Sequence, residues 1–177
     1  MNGPMVLYVD RVDSPVGELL VAADGDGRVA AVCFAPFDEP QALLARVCGS
    51  KTVRLEPDHD PGGAVTALRA YFEGDLDAID GLRVAPVGTS FQQEVWAALR
   101  GIPCGTTTSY GALARRLGRP DASRAVGLAN GSNPIAIVIP CHRVIGASGA
   151  LTGYGGGLAR KRWLLAHEAK REQPALF

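Results

Sequence analysis

Three short apolar-rich stretches near the start of the chain, residues 6–12, 17–23 and 28–34, read as β-strands. Asp24-Gly25-Asp26-Gly27 falls between the last two and predicts a tight hairpin turn. Pro40–Val47 predicts a helix that begins on its proline. Residues 64–72 predict a second, with Val65, Leu68 and Phe72 at helical spacing on its inner face. A connector containing Gly, Pro and Asp follows over residues 75–88. This first half, residues 1–88, is expected to form an α/β domain whose role is structural support.

The second half, residues 89–177, is expected to be a separate, mainly helical domain. Thr89 and Ser90 precede Gln92 and Gln93 at capping-box spacing. The helix they open carries Phe91, Val95, Ala98 and Leu99 inward and stops at Gly101-Ile102-Pro103. Residues 110–117 and 122–130 predict two short helices joined by a Gly118–Asp121 turn, with Asp121 as the cap of the second. Paired in this way they predict a helix-turn-helix. Ala122, Ala125, Val126 and Ala129 lie on one face of the second helix. Ser123, Arg124, Gly127 and Gly131 lie opposite, a small face with one long cation. Gly127 is costly inside a helix, so a close approach by another surface is expected there. The run Ile135-Ala136-Ile137-Val138-Ile139 reads as a buried strand, and Leu158–Ala169 as the last helix.

Charge sharpens this division. The chain of 177 residues is formally neutral. Yet residues 1–88 hold 7 Lys plus Arg against 14 Asp plus Glu, and residues 89–177 hold 11 against 4. A basic half suggests a polyanionic partner. The start carries Asp10 and Arg11 early, which excludes a secretory signal, and no apolar run approaches the roughly 18 residues of a membrane span. Cys33, Cys48, Cys104 and Cys141 form no CxxC pair, and His59, His142 and His167 do not fall at zinc-site spacings. A reduced, cytoplasmic protein without metal or cofactor is expected.

The chemistry concentrates at Ile139-Pro140-Cys141-His142-Arg143, where the last apolar run breaks. A thiol reacts as its thiolate, and a neighbouring imidazole or guanidinium favours that form. Adjacent strand residues point to opposite faces, so Cys141 and His142 share a pocket only if the backbone turns after Pro140. Glu168 on the last helix is a candidate third member of a thiol–imidazole–carboxylate relay. Its bland alternative is a solvated Glu, and that of Cys141 is a small buried hydrophobe.

The segment Ile139-Pro140-Cys141-His142-Arg143-Val144-Ile145-Gly146 resembles the active-site signature of the O6-alkylguanine-DNA alkyltransferases, the methylated-DNA–protein-cysteine methyltransferases. Ser123-Arg124-Ala125-Val126-Gly127 resembles the start of that family's recognition helix. Asn133-Pro134 precedes the cysteine at the family's spacing. Leu151 to Leu158 resembles its active-site loop, and Trp163-Leu164-Leu165-Ala166-His167-Glu168 its final helix. The resemblance runs almost continuously over residues 90–168. The first half resembles the family's ribonuclease-H-like domain only in length and order of elements.

The resemblance implies irreversible, stoichiometric transfer of an alkyl group from O6-alkylguanine, and from O4-alkylthymine, to Cys141. His142, through a water, would take the thiol proton, and Glu168 would hold His142. Asn133 would brace the turn, and Tyr110 would protonate the departing guanine. The amide of Gly155 and the carbonyls of Cys141 and Val144 would bind the base, with Tyr154 as a wall. Ser123 and Arg124 would meet double-stranded DNA through the minor groove, Arg124 filling the gap left by the flipped nucleotide. A monomer is implied.

Some relatives hold zinc in the first domain through Cys and His; with His59 alone there, none is carried over. Cys104 stands where relatives often have an aromatic residue, and Gly155 where some have Ser. Gln173-Pro174-Ala175-Leu176-Phe177 resembles a peptide by which bacterial repair proteins dock on the sliding clamp. Two other classes stay open: a module that flips and flags damaged bases without reacting, and a thiol hydrolase.

Overall fold

The computed structural model describes residues 4–170. These divide into two compact units. One comprises the chain up to Gly88 together with Pro134–Val138; the other comprises Thr89–Asn133 and the chain from Ile139 onward. The second unit is therefore interrupted, where the sequence led us to expect one continuous stretch.

The first unit is mixed α/β. Strands β1 (Met5–Val12), β2 (Leu19–Ala23), β3 (Val29–Phe34) and β4 (Val53–Pro57) form one sheet in the order β3-β2-β1-β4. The first three pair antiparallel, and β4 runs parallel to β1. The hairpin turn is where its aspartate chemistry puts it. Asp24 Oδ1 accepts from the amides of Asp26 and Arg28, each at 3.0 Å, and Gly27 takes φ 70°. All of β2 is buried, as befits an inner strand. Leu7, Leu20, Ala22 and Ala31 pack with Leu44 of helix α1 (Pro40–Val47) and with Val53.

Three readings of this unit change. Strand β4 was not anticipated, because Val53-Arg54-Leu55-Glu56-Pro57 is short, carries charges at Arg54 and Glu56 and ends on a proline; only Val53 is buried. In helix α2 (Ala64–Glu73) Tyr71, not Phe72, completes the inner stripe with Val65 and Leu68. The apolar run 135–139 is no strand. Ile135 makes a single bridge to Val32, then the chain turns through Ile137 at φ 71°, and the Val138 amide reaches back to Ala136 O at 2.8 Å. Proline at both 134 and 140 brackets the run and removes the donors a longer ladder needs.

The second unit is mainly helical. Helix α3 (Ser90–Arg100) opens on the expected capping box: Thr89 Oγ1 accepts from Gln92 N at 3.2 Å and Gln92 Oε1 from Thr89 N at 2.8 Å. Its buried face is Val95, Trp96 and Leu99, with Phe91 and Ala98 only half-buried. Trp96 is held there by donating to Ala129 O at 2.9 Å. A two-residue parallel ladder joins β5 (Thr108–Ser109) to β6 (Val144–Ile145). Helix α4 (Tyr110–Arg116), capped by Ser109, packs against α5 (Ser123–Gly131), and α6 (Leu158–Ala169) follows. Gly118 makes the turn between α4 and α5 at φ 71°. Asp121 does not cap α5, whose N-cap position is Ala122 and carries no side-chain bond.

Thr89→Ala is expected to lower the unfolding free energy by about 1 kcal/mol, because it leaves the Gln92 amide of α3 without its acceptor. Urea denaturation checks this; an unchanged midpoint would mean the cap contributes nothing.

Candidate active site

Cys141, His142 and Arg143 form a single 3-10 turn between Ile139 and β6, and all three are buried. The backbone thus turns directly after Pro140. Asn133 donates one amide to Ile139 O at 2.7 Å and to Cys141 Sγ at 3.1 Å, bracing the turn and the sulfur together.

Glu168 of α6 meets the other two residues of the turn. Its Oε1 lies 2.8 Å from His142 Nε2. Arg143 Nε donates to Oε2 and Nη2 to Oε1, each at 2.9 Å, while Nη1 donates to Ile102 O at 2.7 Å. The carboxyl is 1% exposed. Burial alone pushes it upward, but hydrogen bonds and charge from His142 and Arg143 overcome this and hold it well below the usual carboxylate range. Burial pulls the His142 imidazole below its ordinary value, outweighing Glu168. An ionised Glu168 beside a neutral ring places the proton on Nε2 and leaves Nδ1 as an acceptor. Nδ1 is enclosed, with no hydrogen-bond partner among the described residues.

The thiol's surroundings differ from the sequence-based expectation. Burial raises the Cys141 thiol above its ordinary value. The Asn133 hydrogen bond, the Lys161 charge and the backbone amides of Cys141 and His142 oppose that rise without cancelling it. Arg143 is committed to Glu168 instead. Lys161, which the sequence reading passed over, is fully buried. Its Nζ donates to Val144 O at 2.6 Å, Thr152 O at 3.0 Å and Gly153 O at 3.4 Å, so it ties the 151–157 loop to β6. A signal was present: Lys161, Leu164 and Glu168 recur at i, i+3 and i+7 on the inner stripe of α6. His167 stacks on Trp163, with ring centroids 4.8 Å apart.

The other expected residues gather around this core. Tyr110 is the first residue of α4, set beside the turn by the β5–β6 ladder. Its hydroxyl donates to Thr152 O at 3.2 Å. Its ring lies beside Gly127, where a Cβ would stand 3.6 Å from Tyr110 Cδ1, an ordinary van der Waals contact that does not by itself require glycine. Tyr154 is half-buried with its hydroxyl oxygen enclosed, and burial, then the nearby Cys141 and Glu168 charges, push its phenol well up. Gly155 is exposed. Ser123 is half-buried. Arg124 is exposed and has no ion-pair or hydrogen-bond partner among the described residues. The inner face of α5 is Val126, Ala129 and Asn130; Ala125 is exposed, and so is Leu128 at 73%. The helix is rotated from the orientation its alanines suggest, which adds Leu128 to the face carrying Arg124. Cys104 is buried, and no His, Cys, Asp and Glu cluster among the described residues is arranged to hold a metal ion.

Residues 90–170 match the DNA-binding domain model of 6-O-methylguanine DNA methyltransferase. A methylated-DNA–protein-cysteine methyltransferase of Shigella flexneri is 49% identical over 92% of this chain and 95% of its own length. The chain belongs to the methylated-DNA–protein-cysteine methyltransferase family. The Mycobacterium tuberculosis member is 47% identical over 94% of each chain. A crystal structure of the M. tuberculosis protein, OGT, in complex with DNA is similar at TM-score 0.76, with 45% identity over 95% of this chain and 96% of that one. A Pyrococcus kodakaraensis O6-methylguanine-DNA methyltransferase is similar at TM-score 0.62 and 25% identity, over 92% of this chain and 98% of that one.

Within this methyltransferase, Glu168→Gln is expected to cost about 3–5 kcal/mol at pH 7.5, since it leaves the Arg143 cation buried without its counter-charge. The pH dependence has a definite sign. His142 and Glu168 both titrate lower folded than unfolded, so their stabilisation is present at high pH. The wild type should weaken as pH drops below about 6.5, through His142, and again below about 4.3, through Glu168. The gap to Glu168→Gln should narrow only in the second range. Denaturant unfolding from pH 7.5 to 3.5 reads this out, and a gap constant throughout contradicts an ionised Glu168.

Proposed function

We propose that this chain repairs DNA by direct reversal, moving the alkyl group of O6-alkylguanine, and of O4-alkylthymine, onto Cys141. The observation that carries this reading is the chain of contacts at the turn. A buried thiol is held by Asn133, and beside it stands a neutral imidazole whose Nε2 is tied to ionised Glu168. That arrangement suits a single proton abstraction followed by attack at carbon. The names of the relatives and the DNA complex of the M. tuberculosis protein support it.

His142 Nδ1 takes the thiol proton, through a water. The sulfur then attacks the alkyl carbon in line; the S–C bond forms as the C–O6 bond breaks, and the bonding pair passes to the oxygen and the purine ring. Tyr110 donates its phenolic proton to the ring, since a neutral base leaves better than an anion. The carbonyls of Cys141 and Val144 and the Gly155 amide hold the base against Tyr154. The product is a thioether with no good leaving group, so each molecule acts once.

The alkylated oxygen faces the partner base in a duplex, so the nucleotide must be flipped out. Helices α4 and α5 serve as a helix-turn-helix entering the minor groove, with Ser123 at the backbone and Arg124 filling the vacated stack. The exposed, unpaired state of Arg124 supports that role. The second unit, Thr89–Asn133 with the chain from Ile139 onward, thus serves as the DNA-binding and transfer domain, and the acidic ribonuclease-H-like first domain supports it. The protein acts as a cytoplasmic monomer. No helix among the described residues is long and apolar enough to cross a membrane. The clamp-like peptide 173–177 lies outside the described residues; deleting it without loss of clamp binding would remove that reading.

Mixing the protein with a duplex carrying O6-methylguanine should place one methyl on the Cys141 peptide, seen by mass spectrometry. Binding without a mass gain would indicate a flagging module, and ester or amide turnover a hydrolase. Cys141→Ala should abolish transfer yet keep lesion binding; loss of both argues against a purely nucleophilic role. Arg124→Ala should slow transfer from duplex by at least about tenfold, because flipping costs a few kcal/mol, while sparing transfer from a free alkylated guanine base. Equal slowing of both would sink the intercalating role.

A further inference from the structure

Asn130, in the last turn of α5, is 4% exposed and occupies the inner side of the site. Its Nδ2 donates to the carbonyl of Cys141 at 3.3 Å. Its Oδ1 is enclosed and has no hydrogen-bond partner among the described residues. Leaving a buried amide oxygen unpaired costs about 1–3 kcal/mol, so the position calls for a donor. Asn133, three residues on, has its amide on the sulfur of the same cysteine. Two side-chain amides from one helix end therefore frame Cys141, one on its thiol and one on its carbonyl.

We infer that Asn130 reads the exocyclic amine of the flipped guanine; the inference rests on the function proposed above. That amine carries two N–H donors. The Cys141 carbonyl has two lone pairs, of which Asn130 Nδ2 occupies one and leaves one. Oδ1 sits on the same side-chain amide, whose Nδ2 is 3.3 Å from that carbonyl. The Cys141 carbonyl takes one N–H of the amine, and Oδ1 shares the other with the Val144 carbonyl, one of whose lone pairs Lys161 Nζ already takes at 2.6 Å. Asn130 thus acts twice, aiming the carbonyl through Nδ2 and accepting through Oδ1. Thymine has no such amine, so this pair favours alkylated guanine over alkylated thymine.

The test compares single-turnover methyl transfer from two duplexes identical except for the lesion. One carries O6-methylguanine; the other carries O6-methylhypoxanthine, which lacks the amine. The wild-type protein should react about tenfold or more faster with the guanine lesion, as sites built to pair a polar group reject an analogue without it. In Asn130→Leu, close in volume but without donor or acceptor, that ratio should fall at least about fivefold, the scale of one lost hydrogen bond. A thermal melt checks folding; if Asn130→Leu does not fold, Asn130→Ala carries the same comparison. A purely structural role would shift the thiol and slow both lesions alike, so an unchanged ratio overturns the inference. So does a wild-type protein that fails to discriminate. A wild-type protein that methylates Cys141 from neither duplex instead overturns the function itself, and this reading with it.

Discussion

The arrangement of the site depends on one buried carboxylate. Glu168 is removed from water and would take up a proton there were it alone. The His142 hydrogen bond and the two-point grip of Arg143 prevent this, and the carbonyl of Ile102 holds the guanidinium in place. Once that pair is neutral, a second cation on His142 has little to compensate it. Burial disfavours the imidazolium, and the charges of Arg143 and Lys161 disfavour it further. The ring stays neutral, its Nε2–H is used by Glu168, and its lone pair is on Nδ1. Burial is thus the main reason the imidazole is neutral, and the charges of Arg143 and Lys161 add to it.

The same economy governs the sulfur. A thiol this buried is expected to stay protonated at rest, and burial does push it up. Besides the amides of the turn itself, two side chains favour the thiolate: Asn133, beyond the end of α5, and Lys161, from the inner face of α6. Glu168 stands on that same face of α6, so one helix delivers both the positive charge near the sulfur and the negative charge behind the base. A shift of α6 along its axis would disturb the two together.

Much of this was legible in the residues. Cys141, His142 and Glu168 announced themselves by type, order and likeness to a family signature, and the capping box at Thr89 and the turn at Asp24 by local chemistry. What stayed hidden has a common cause. Lys161 and Asn130 are polar side chains on inner stripes, and polarity reads as exposure until the partner carbonyls are known. The run 135–139 misled in the opposite direction. Its apolarity reports burial correctly, but buried is not extended, and the prolines at 134 and 140 weigh more than the β-branched residues between them. The rotation of α5 was beyond a pattern of alanines, which pack on either face; Leu128 at 73% exposure goes against its hydrophobicity.

Charge and recognition are divided between different parts of the second unit. Arg115, Arg116 and Arg162 are exposed, and a cationic surface of this kind grips phosphates without regard to sequence. Arg119 is partly withdrawn from that surface by Glu94 at 2.9 Å and by stacking over Phe91. Arg124, with Leu128 one turn beyond it, forms an unpaired cation beside an exposed apolar side chain, a combination suited to a base stack, where charge alone gains little. None of these groups distinguishes one base from another. Discrimination must therefore come from enclosed groups, and around Cys141 these are backbone carbonyls, two asparagine amides and a tyrosine. Carbonyls read donors but are common to every sequence, so on the function proposed above selectivity for the lesion falls to the few side chains that aim them.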